Sequence, residues 1–73
     1  MTYFAPRPKE EFMGKQTIGN YTYFGYKEVN SPFWKIIRKN DTDDSDWAYS
    51  YGSDDWAAVW AYVDSLTYGP PPN

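Results

Sequence analysis

A chain of 73 residues with a net charge of −3 allows one small domain and a thin core. It contains no Cys and no His, which excludes disulfides, thiolate or imidazole metal ligands, and a thiol or imidazole catalyst. Four Trp, eight Tyr and four Phe must supply most of the core, since each ring buries about 150–250 Å².

The charge is split along the chain. Up to Asn40 there are seven bases and three acids; from Asp41 onward there are seven acids and no base. Such a split suits an ordered arrangement with a partner, or simply basic strands lying beside an acidic helix end. No run of eighteen apolar residues occurs, so no membrane span is expected. The first residues, MTYFAPRPKEEF, lack the apolar centre of a signal peptide.

Residues 1–19 read as an extended arm. Pro6 and Pro8 hold the backbone extended and keep it out of a helix. Tyr3, Phe4, Phe12 and Met13 follow no regular period, which suits an arm ordered by contact with its own domain or with a neighbouring subunit.

Residues 21–29, YTYFGYKEV, are strand formers with Thr22, Phe24, Tyr26 and Glu28 on one face and Tyr21, Tyr23, Gly25, Lys27 and Val29 on the other. Gly25 marks a bulge or a close approach by another element. After the turn Asn30-Ser31-Pro32, residues 33–39 form a second strand, with Trp34 and Ile36 toward the core and Lys35 and Ile37 away from it. The polar stretch 40–45 closes a hairpin. Residues 46–51, DWAYSY, form a third strand with Trp47, Tyr49 and Tyr51 on one face.

From Trp56 the apolar residues recur as Val59, Trp60, Val63 and Leu66, the spacing of one helix face. Ser53 stands where an N-cap belongs, with Asp54 and Asp55 as partners for the helix dipole. Gly69 and Pro70 to Pro72 stop the helix. The expected fold is α+β: a three-stranded antiparallel β-meander covered on one face by a single C-terminal α-helix and preceded by an extended N-terminal arm. The expected organisation is arm 1–19, βββα module 20–69 and Pro-rich tail 70–73, with Trp34, Ile36, Trp47 and Tyr49 meeting Trp56, Val59, Trp60 and Val63.

Chemistry is nearly absent. In the acidic loop, Asp41, Asp43 and Ser45 fit alternate positions of a calcium loop, but Asp46 stands where Gly is needed and Gly52 where a bidentate Glu is needed. A solvated hairpin tip accounts for it. Asp54 and Asp55 are explained by the helix start, and no pocket, nucleophile or base is identifiable, so no enzyme, cofactor or metal is expected. Rings interleaved with Lys27, Lys35, Arg38 and Lys39 would suit single-stranded nucleic acid, although the chain is acidic overall. The acids of the last third could instead imitate DNA phosphates and inhibit a host nucleic-acid enzyme.

The succession Tyr23-Phe24-Gly25-Tyr26, Trp34 with Ile36 and Arg38, Trp47-Ala48-Tyr49, Gly52 and Leu66-Thr67-Tyr68 resembles small proteins that tailed bacteriophages encode near their head and tail structural genes. The resemblance covers residues 21–69 and carries no catalytic signature. It implies a structural virion component of capsid, neck or tail, assembled in the bacterial host cytoplasm. Its partners would be protein subunits of a larger assembly, further copies of itself included, and not a small-molecule substrate, nucleic acid or a membrane. Expected contact residues are Tyr3, Phe4, Phe12, Met13, Tyr21, Tyr23, Lys35 and Ile37.

Overall fold

The structure is a computed structural model that describes residues 10–70. Within them the order is β1 (Glu10–Ile18), β2 (Tyr21–Glu28), β3 (Trp34–Asn40), β4 (Trp47–Gly52), α1 (Trp56–Ala61) and a 3-10 turn (Val63–Ser65). The strands form one four-stranded antiparallel sheet in the order β1-β2-β3-β4.

The three-stranded meander is therefore corrected to four strands. Residues 10–18, expected in the arm, pair with β2 along its length. The reason they show no period is a bulge. The register slips between Phe12 and Gly14, so Phe12 lies opposite Tyr26 while Gly14 lies opposite Gly25, on the other face of the sheet. One extra residue, Met13, inverts the alternation midway, and Gly14 takes the φ of +155° that this requires. Ile18 then pairs with Tyr21 across the two-residue turn Gly19-Asn20, where Gly19 adopts φ +62°. Of the expected arm, residues 1–9 lie outside the described residues, as do 71–73 of the expected tail.

The core lies between the helix and one sheet face. Tyr23, Trp34, Ile36, Val59 and Val63 form its buried centre, with Tyr21, Trp56, Trp60, Leu66 and Tyr68 packed around them. Ile36 and Val63 are fully buried. The Trp34–Ile36 face thus meets the helix as expected. Trp47 and Tyr49 do not: they pair with Lys39 and Ile37 and share the opposite face. Instead β4 turns Ala48, Ser50 and Gly52 toward the helix side. Small residues are needed there because the rings come from elsewhere. A Cβ on Gly52 would stand 2.3 Å from the Trp34 indole.

The helix is shorter than its apolar spacing suggests. The α-helical part ends at Ala61, and Tyr62, at φ −119° and ψ 31°, leads into the 3-10 turn. The N-cap is Asp55, not Ser53; it makes no side-chain cap bond, and no acid lies in the first turn. The chain must return quickly, because Gly69 exchanges two backbone hydrogen bonds with Tyr49, at 2.8 and 2.9 Å, on the outer edge of β4. Six helical residues are marginal alone. This helix is held by its tryptophans: Trp56 and Trp60 stack at 5.2 Å, and Trp34 meets Trp56 at 6.5 Å. Gln16 donates from Nε2 to the Trp60 carbonyl at 3.2 Å, tying the helix to β1. No helix among the described residues is long and apolar enough to cross a membrane.

Candidate docking face

The sheet face turned away from the helix is built from cross-strand rows. Lys15, Phe24, Ile37 and Tyr49 make one; Phe12, Tyr26, Lys35 and Tyr51 make the next; Thr17, Thr22, Lys39 and Trp47 make a third. Period-two alternation places them together once the bulge at Met13 is counted. Phe24, Tyr26, Ile37 and Trp47 enclose an apolar depression of about 160 Å³. Beside it Tyr49 and Tyr51 stack with planes 9° apart and centroids 6.3 Å apart. Phe12 meets Tyr26 edge-on at 5.5 Å. Phe12 and Tyr51 are each half exposed, whereas Ile37 is buried beneath the rows.

The lysines of this face are engaged. Lys35 Nζ lies 3.2 Å from Glu10 Oε1 and 5.2 Å from the centre of the Tyr26 ring. Lys39 lies 3.2 Å from Asp44 and 3.9 Å from Asp41. Lys15 sits over Phe24 at 5.9 Å. Burial raises the Tyr26 phenol above its ordinary pKa of 10.0, and the nearby Glu10 charge adds to this.

The acidic hairpin tip spends its oxygens on its own turn. Thr22 Oγ1 donates to the Asp41 carboxylate at 2.8 and 2.9 Å. Asp43 accepts from the Ser45 amide and hydroxyl at 3.0 and 2.7 Å, which holds its carboxyl below the ordinary value. Asp46 accepts from Asn40 at 3.1 Å. Trp47 Nε1 donates to the Asp44 carbonyl at 2.7 Å. No group of three or more acids among the described residues is placed to hold a metal ion.

The expected contact residues fall into different places. Phe12, Lys35 and Ile37 come together on the away face, and Met13 is the bulged residue beside them. Tyr21 and Tyr23 lie on the helix face; Tyr23 is 3% exposed and packs on Tyr68 at 5.8 Å. Tyr3 and Phe4 lie outside the described residues. Sequence reasoning assigns no contact role to Phe24, Tyr26, Trp47, Tyr49 and Tyr51, yet they form most of the away face. The signal that finds them is Gly25. It is the one residue of β2 small enough to lie beneath Trp56 and Trp60, which fixes its face as the covered one.

On the covered face, Arg38 is clamped between two rings, 4.5 Å from Tyr21 and 4.8 Å from Tyr68. Tyr68 Oη donates to the Val63 carbonyl at 2.6 Å, satisfying the 3-10 turn. No family model matches the chain, and neither a curated protein nor a solved structure matches it.

Proposed function

We propose that this chain is a non-catalytic docking module, a small virion component of the tailed-phage kind, which seats on larger protein subunits through the sheet face turned away from the helix. The observation that carries the reading is the pair of aromatic sheet faces. The helix covers one, and the other presents half-exposed Phe12 and Tyr51 around an apolar depression. The placement in a virion rests on the resemblance over residues 21–69.

Two rival readings lose support from the geometry. A nucleic-acid platform needs free cations beside its rings; here Lys35 and Lys39 are paired with acids, leaving Lys15 over Phe24 as the one lysine of the three rows outside an ion pair among the described residues. A phosphate mimic needs its acids in line. The tip acids and Asp54-Asp55 flank opposite ends of β4, whose six residues span about 20 Å.

The test is incorporation into particles of Phe12→Glu and Tyr49→Glu, both made in the full chain. Near-UV circular dichroism checks the fold. Folded variants that remain free while the parent chain co-purifies with particles support the reading. Incorporation at the parent level, or absence of the parent from particles, overturns it.

A further inference from the structure

A cleft of about 510 Å³ opens at the end of the sheet where β3 begins and β4 ends. Its walls include Glu10, Glu28, Lys35, Phe33, Tyr51 and Trp34. Glu10 and Glu28 are direct partners across β1 and β2, an arrangement that sets like charges side by side. Lys35 answers one of them, Glu10, at 3.2 Å. Glu28 has no ion pair among the described residues. Its neighbour Lys27 donates to two backbone carbonyls, Ser31 at 2.6 Å and Glu28 at 3.5 Å, and forms no ion pair with the Glu28 carboxylate. The wall therefore carries a carboxylate in want of a cation.

The remaining walls are rings. Phe33 is 55% exposed and Tyr51 50% exposed. A long side chain with an apolar stem and a cationic head would cover such rings and reach a carboxylate at the same time. Trp34 lies in the same wall; its buried Nε1 has no hydrogen-bond partner among the described residues, and as a donor it cannot bond a guanidinium, so it serves only as a reporter of what enters the cleft.

We infer that this cleft receives an arginine side chain of the partner protein, its guanidinium on Glu28 and its stem against Phe33 and Tyr51. A guanidinium fits better than an ammonium, because its planar fork pairs with a carboxylate and stacks on a ring. An anionic or neutral side chain would leave Glu28 as unpaired as before. The inference rests on the docking reading above and adds the chemistry of what docks.

The probe is acetyl-Gly-Arg-Gly-amide, titrated into the ¹⁵N-labelled full chain while the Trp34 indole resonance is followed. The control is the same peptide with citrulline, which keeps the shape and removes the charge. The expected result is a saturable Trp34 shift with the arginine peptide. Binding should weaken about fivefold or more with citrulline, in Glu28→Gln, and in Phe33→Ser. Equal binding of the citrulline peptide overturns the inference, as does unchanged affinity in folded Glu28→Gln or Phe33→Ser, or no Trp34 shift. If the peptide fails while Phe12→Glu and Tyr49→Glu still abolish incorporation, the cleft assignment falls and the docking face stands.

Discussion

Trp56 lies against Gly25 so closely that a Cβ on residue 25 would stand 2.4 Å from the indole edge, and 2.9 Å from the Trp60 ring. The contact brings the helix down onto β2 and fixes which face of the sheet it covers.

Gly25→Ala must push two stacked indoles off the sheet. We expect a loss of about 2–3 kcal/mol, the upper part of the range for overfilling a packed core, and a fall in Tm of roughly 10 °C or more. Gly69→Ala is the control. A Cβ there meets nothing within 4 Å, and its φ is not in the left-handed region, so stability should be nearly unchanged. Urea unfolding of both variants checks the difference; equal effects would show that the Trp56–Gly25 contact is loose.

Gly25 also marks what can be read from the sequence. The helix stripe Trp56, Val59, Trp60, Val63 and Leu66 is legible, because all five residues do pack on the core although the α-helix ends at Ala61. The 3-10 turn keeps the same side inward, so the spacing survives the change of helix type. β1 is not legible from periodicity, because the bulge at Met13 cancels it. Its one local signal is Gly19-Asn20, a two-residue hairpin turn between strand-like flanks. The faces of β4 come out inverted when ring size is taken as a sign of core. The opposite holds here: Trp34 fills the space over Gly52, so β4 must turn its small residues inward. The same inversion hides the docking face, since its rings look like core until the register is known.

Alkaline pH should destabilise the chain. Burial raises the phenol pKa of Tyr23, Tyr26 and most strongly Tyr68 above the ordinary 10.0. A raised value means that the folded state holds its proton after the unfolded state has lost it. Stability is then unaffected below about pH 9 and falls as pH rises through 10 and beyond, because ionisation favours the unfolded chain. The urea midpoint should drop across that window, together with a delayed rise in tyrosinate absorbance. In Tyr68→Phe the drop should be shallower, although the variant starts less stable by about 1 kcal/mol for the lost bond to the Val63 carbonyl.

Arg38 is expected to act as a packing residue through its flat guanidinium. It lies between Tyr21 and Tyr68, and no carboxylate among the described residues is within ion-pair distance. Arg38→Lys keeps the charge but loses the stacking plane, and should cost about 1 kcal/mol. Arg38→Ala also removes the stem and should cost more. If Arg38→Lys matches the parent in urea unfolding, charge alone explains the residue and the stacking is incidental.

Removing residues 1–18 distinguishes a separable arm from an integral strand. A separable arm would leave the fold of 20–69 intact. In the structure, β1 supplies the partner edge for β2. Gly14 lies under the Trp60 ring, close enough that a Cβ there would touch it at 3.5 Å, and Gln16 holds the Trp60 carbonyl. Without β1 the β2 edge loses a ladder of hydrogen bonds, and Trp60 loses the floor it rests on. A domain this small has little stability to spare. The truncated chain should lose its near-UV aromatic signal and its cooperative unfolding transition. Gln16→Ala, which removes one hydrogen bond and keeps the strand, should lower stability by about 1 kcal/mol and leave the near-UV spectrum as it is. A truncated chain that keeps both signals would mean that β2 to β4 and the helix fold without β1.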